Sequence, residues 1–140
     1  MSAVDSSEDL LRCLEETLVT LGDAQAQGLA DVLADRMREA GIRYLLQIAI
    51  QACVDLGDRI LAAEGLDEPA RQRDVFPALA HAGILDQAIA QELADLVGLR
   101  NALAHHYSRV TTAEVAARVP TVMAATQVFA RMAARWVRGA

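Results

Sequence analysis

VGLRNALAHHY, residues 97–107, sets an arginine into a run of aliphatic side chains, and the way it is read decides the fold. Projected onto a helix together with the residues before it, Ile89, Leu93, Leu96, Arg100, Leu103 and Tyr107 recur at spacings of three and four. That is the period of one helical face, so Arg100 and Tyr107 fall on the apolar stripe itself. Desolvating a guanidinium is costly unless it meets partners, so a helix with this stripe must bring Arg100 to polar acceptors.

The rest of the chain has the same period. Of its 140 residues 54% are hydrophobic but only 4% aromatic, so the apolar mass is alanine, leucine, valine and isoleucine. Alanine and leucine are strong helix formers, and no segment alternates β-branched residues in the manner of a strand. The expectation is an all-α protein, an antiparallel bundle of four long helices and one short one in a single domain spanning 1–140.

Ser6 or Ser7 suits the cap of a first helix, with Glu8 and Asp9 in its opening turn and Leu10, Leu11, Leu14, Leu18 and Leu21 on one face. Gly22-Asp23 and Gly28 punctuate it, which predicts a turn or break between them. A long second helix is expected from about Leu29 to Glu64, with Gly41 a candidate irregularity and Leu45, Ile48, Ala49, Ala52, Leu56 and Ile60 on its core face. GLDEPARQRD, residues 65–74, reads as a loop, and a short helix over Val75 to His81 is stopped by Gly83. Asp86 caps the helix that reaches the neighbourhood of His105. Thr111 and Glu114 match a capping box for the last helix, in which Pro120 either makes a kink or marks the true first turn.

A net charge of −6 argues against bulk electrostatic attraction to nucleic acid and leaves only a local arginine cluster for that purpose. Cys13 and Cys53 both sit among helical apolar positions and read as reduced core thiols of a cytoplasmic protein. The acidic start lacks the pattern of a signal peptide, and no uncharged stretch reaches the roughly eighteen residues of a membrane span.

Asn101 and His105 are four apart and lie beside the stripe that holds Arg100 and Tyr107. Arginine offers a fixed fork of donors for phosphate oxygens, histidine moves a proton near neutral pH, and asparagine or tyrosine orients either. Taken alone, the set suits a structural role equally, with Arg100 satisfying carbonyls at the helix end and His105 closing it. A metal site at His105-His106 is disfavoured, because adjacent helical residues point about 100° apart and no acid or cysteine completes a familiar ligand set.

The pattern R-N-x-x-x-H-x-Y, present as Arg100-Asn101 through His105-His106-Tyr107, resembles the signature of HEPN-domain proteins, specifically the HepT-like toxins of HepT/MntA toxin–antitoxin systems. RYLLQIAIQACVDLGDRIL, residues 43–61, is similar to the second-helix region of that family. VFPALAHAGILDQAIAQELADLVGLRN, residues 75–101, resembles its approach to the motif. The likeness covers roughly Leu29 to Val137.

The resemblance implies a helical homodimer whose two motifs face each other across the subunit interface and form one cleft. It implies a metal-independent endoribonuclease without a cofactor, with an RNA substrate and a small nucleotidyltransferase antitoxin as partner. Arg100 would stabilise charge on the phosphate, and His105 would act as general base or general acid. Asn101 would orient His105 or a phosphate oxygen, and Tyr107 would contact the RNA backbone and receive the adenylyl group from the antitoxin. Asp55 and His106 take no assigned role. The alternative from a different class keeps the fold without the chemistry: a nucleotide- or RNA-binding module that partners a nucleotidyltransferase, with Arg100 as anion anchor.

Overall fold

A computed structural model describes residues 6–139, and every regular element among them is helical. Helix α1 (Ser7–Gln27) starts at a capping box in which the Ser6 hydroxyl accepts from the Asp9 N–H at 3.0 Å and the Asp9 carboxylate accepts from the Ser6 N–H at 3.3 Å. Its buried face of Leu11, Leu14, Leu18, Leu21 and Ala24 carries it straight through Gly22-Asp23, where a break was expected. Apolar contacts on both sides outweigh the weak helix propensity of one glycine. The chain leaves the helix only at Gly28, whose φ of 101° suits a residue without a Cβ.

The expected second helix is two helices. Helix α2 (Leu29–Ala34) buries Val32 and Leu33 and ends at Asp35. There the backbone turns extended, and the Asp35 carboxylate accepts from the Arg38 N–H at 2.8 Å to cap α3 (Arg36–Ala63). An aspartate that competes for a backbone N–H breaks a helix without glycine or proline, while Gly41 lies inside α3 with no interruption. Among the described residues the bundle therefore has four long helices and two short ones. A 3-10 turn at Gln72–Asp74 leads into short α4 (Val75–His81); Asp86 caps α5 (Gln87–His105), and the Thr111-Glu114 capping box opens α6 (Thr112–Arg138). Pro120 sits inside α6, not in its first turn, at an exposed position.

Helix α3 runs through the centre and packs against α1, α4, α5 and α6. Phe76 of α4 and Phe129 of α6, both fully buried, meet edge to face with centroids 5.8 Å apart. Beside them Gly57 of α3 is crossed so closely by α4 that a Cβ there would lie 2.5 Å from Val75 Cγ1. At the far end Arg138 of α6 clasps Glu8 and Glu15 of α1, each at 2.8 Å. Cys53 is a core residue whose thiol is pushed up by burial, but Cys13 is exposed, contrary to the reading of both as core thiols. It lies between Leu11 and Leu14 on α1, off the buried stripe that those two define. No helix among the described residues is long and apolar enough to cross a membrane.

Candidate active site

Helix α5 brings Arg100 to the surface where it lies against α3, and the polar partners its position demands come from the same chain. Nη1 donates to Oε1 of Gln51 on α3 at 2.7 Å and to Oε1 of Gln72 in the 3-10 turn before α4. Nε and Nη2 both donate to Oδ1 of Asn101, at 3.2 and 2.6 Å. Every acceptor is a neutral amide. Burial pulls the Arg100 guanidinium below its ordinary range, and the Asp55 carboxylate opposes that shift. Asp55 reaches Arg100 through Gln51, whose Nε2 donates to Asp55 Oδ1 at 2.9 Å. The acid left without a role in the sequence thus orients the glutamine that holds the arginine.

Arg100, Asn101, Ala104 and His105 from α5, Tyr44, Gln47, Ile48 and Gln51 from α3, and Gln72 line one open groove of about 320 Å³. The groove is walled by amides, an arginine, an imidazole and a phenol, with no carboxylate on its surface. His105 is the last residue of α5 and is exposed to the groove and to solvent. Asn101 is placed as expected, beside Arg100, although here it accepts from the guanidinium.

Tyr107 departs from the helical projection. The helix ends at His105, His106 is its C-cap with φ −134° and ψ 38°, and Tyr107 opens a separate 3-10 turn, Tyr107–Arg109. Tyr107 is therefore off the stripe of Leu96, Arg100 and Leu103, does not line the groove, and stands 69% exposed. Its turn is fixed from the far side by Arg43 of α3, which donates to the Tyr107 carbonyl at 3.2 Å and the Val110 carbonyl at 2.7 Å and pairs with Glu39 at 3.6 Å. Glu39 in turn accepts a hydrogen bond from Thr112 at the start of α6. His106 is exposed. No group of three or more histidine, cysteine or acidic side chains among the described residues is arranged to hold a metal ion.

The sequence alone did not reveal Gln51, Gln72, Tyr44, Gln47 and Arg43. Gln51 and Gln72 are distant from Arg100 along the chain and carry no local signal; only the spacing of four between Gln51 and Asp55 hints at a paired polar face.

The profile of the family described as Ribonuclease HepT-like matches residues 8–131. The chain belongs to the HepT-like family. Among curated proteins, the mRNA nuclease HepT of Shewanella oneidensis is 34% identical over 99 residues, 71% of each chain. Among solved structures, a tri-AMPylated Shewanella oneidensis HEPN toxin in complex with MNT antitoxin superposes over the full length of both chains with a TM-score of 0.81 at 20% identity. A toxin–antitoxin crystal structure with AMP-PNP matches 95% of this chain and 99% of its own at a TM-score of 0.80 and 21% identity. YutE of Bacillus subtilis, a cytosolic protein of unknown function, matches 90% of this chain and 89% of its own at 0.70 and 19%.

Proposed function

We propose that this HepT-like chain is a metal-independent endoribonuclease toxin, a single domain over residues 1–140 that works in the cytoplasm as a homodimer and is silenced by a small nucleotidyltransferase. The observation that carries the reading is the Arg100 fork, held at the groove beside His105 entirely by neutral amide oxygens. Its positive charge is fixed in direction but not neutralised by direct contact, which suits it to a phosphate. The family description and the relative named an mRNA nuclease point the same way.

In the reaction, an RNA 2'-hydroxyl attacks the adjacent phosphorus and the P–O5' bond breaks. His105 takes the proton from the 2'-oxygen as general base, or supplies one to the leaving 5'-oxygen as general acid. Arg100 stabilises the charge that builds on the phosphate, and Asn101, which already fixes two nitrogens of the fork, sets its orientation. The products are a 2',3'-cyclic phosphate and a 5'-hydroxyl. Across a two-fold interface the two grooves adjoin, and the exposed Tyr107 turns reach RNA or the antitoxin.

Adenylylation fits the exposure of Tyr107. Its phenol oxygen attacks the α-phosphorus of ATP, pyrophosphate leaves, and the attached AMP places bulk and negative charge where an RNA backbone must pass. A likeness to toxins crystallised with an antitoxin, one of them tri-AMPylated, supports this partnership.

The test is cleavage of a broad RNA pool with EDTA present, by the wild-type protein and by His105→Ala matched for folding and mass. Wild-type cutting that leaves cyclic phosphate ends, together with an inert variant, is the expected result. An inert wild type that still binds its nucleotidyltransferase would replace the nuclease with a binding module anchored at Arg100.

A further inference from the structure

One side of the Arg100 groove has no part in the chemistry above. Tyr44 and Gln47, three residues apart on α3, both line it, one turn before Ile48 and Gln51. Tyr44 is 61% exposed, and its hydroxyl makes no hydrogen bond among the described residues. Gln47 is half-buried, and its amide likewise has no hydrogen-bond partner there, whereas Gln51 and Gln72 on the same groove are both committed to Arg100. The surface around the guanidinium thus presents an aromatic face and an unused amide donor and acceptor within reach of an anion anchor.

Those are the elements by which proteins read an unpaired base: a ring for stacking, and an amide for the hydrogen-bonding edge. We propose that Tyr44 and Gln47 form a nucleobase subsite that holds the base next to the phosphate bound by Arg100, with Tyr44 stacking on it and Gln47 contacting its edge. The proposal deepens the ribonuclease reading and rests on it for the identity of the ligand, a single-stranded RNA. The subsite supplies affinity through Tyr44 for any base and preference among bases through Gln47. The scissile bond is therefore selected by the nucleotide in this subsite, and paired RNA is a poor substrate because its bases are already stacked.

Binding without turnover separates the subsite from catalysis. Fluorescence anisotropy is measured with a short single-stranded 2'-O-methyl RNA, whose blocked 2'-oxygen prevents cleavage, and with an abasic oligomer of the same length. Tyr44→Ala is expected to bind the base-bearing oligomer about tenfold more weakly than wild type, Tyr44→Phe to bind it as wild type does, and all three to bind the abasic oligomer alike. Gln47→Ala is expected to redistribute the cut sites mapped on an RNA pool. If Tyr44→Ala loses affinity for both oligomers equally, or sediments at a lower mass than wild type, Tyr44 is a structural or interface residue and the subsite is refuted. Unchanged binding by Tyr44→Ala refutes it too, and an unchanged cut-site pattern removes Gln47 from it. A wild type that cuts no RNA yet shows the tenfold, base-dependent difference would leave the subsite standing and overturn the nuclease reading alone.

Discussion

Replacing Gly57 with alanine sets two known effects against each other at one buried position. Alanine in a helix interior is favoured over glycine by about 1 kcal/mol, so a residue in the middle of α3 would ordinarily gain from the change. Here the new methyl would stand 2.5 Å from Val75 Cγ1 and 3.3 Å from Leu79 Cδ1, inside contact distance of two side chains with 1% and 0% exposure. Valine is stiff about χ1, so the methyl cannot swing aside and α4 itself must move outward. Overpacking of this kind costs roughly 1–3 kcal/mol. The upper part of that range wins over the propensity gain, and the net expectation for Gly57→Ala is a loss of about 1–2 kcal/mol. For a chain of this length that lowers the melting temperature by roughly 3–8 °C in a circular-dichroism melt at fixed protein concentration. Because Gln72, an acceptor for Arg100, lies in the turn that leads directly into α4, the same displacement is expected to lower RNA cleavage well below the melting point. Val75→Ala on top of Gly57→Ala should recover part of both losses. An alanine variant that melts at or above wild type would mean that α4 yields freely, and the account of that crossing would be wrong.

Arg43→Gln removes two hydrogen bonds to the carbonyls of Tyr107 and Val110; with the side chain still partly reached by water, a loss of roughly 1–2 kcal/mol is expected. The released turn should be cut faster by chymotrypsin after Tyr107, and a cleavage rate equal to that of wild type would disprove the clamp. A thiol reagent should titrate one cysteine in the native protein, Cys13, and the second, Cys53, only on unfolding; rapid reaction of both in the folded state would contradict the burial of Cys53. Burial, helped by Glu68 and Asp55, holds the Asp58 carboxyl above its usual range, so the folded state binds its proton more tightly than the unfolded chain and the ionised carboxylate weighs against folding at neutral pH. Asp58→Asn should therefore melt higher than wild type near pH 7, and the gap should close as the pH falls through the ordinary carboxylate range; a gap that stays constant down to about pH 3 would refute the assignment.

The long helices were legible because their apolar period and their caps are local facts: Ser6 with Asp9, Asp86, and Thr111 with Glu114 lie within three or four residues of what they bond. The break at Asp35 was missed because an aspartate in mid-helix and one that caps the next helix look alike until the backbone is seen. Gly22 misled for the opposite reason, since its flanking core contacts are tertiary. At the site, Arg100 declared itself by sitting on an apolar stripe, and Asn101 by its spacing of four from His105 beside that stripe. Its acceptors Gln51 and Gln72 come from 49 and 28 residues away, a separation no periodicity can bridge. Tyr107 was projected onto the stripe of α5 although it lies two residues past the end of that helix at His105.

Holding Arg100 with amide dipoles alone also bears on timing. A long cationic side chain on an open surface samples many rotamers, and a ligand must freeze it on arrival. This one is already aimed by Asn101, Gln51 and Gln72, while the carboxylate that acts on its charge, Asp55, stands one residue back behind Gln51. An incoming phosphate exchanges weak neutral acceptors for an anionic one with little rearrangement of the fork. The fork is thus already close to the arrangement that a phosphate needs, and that readiness depends on side chains that never touch the scissile bond.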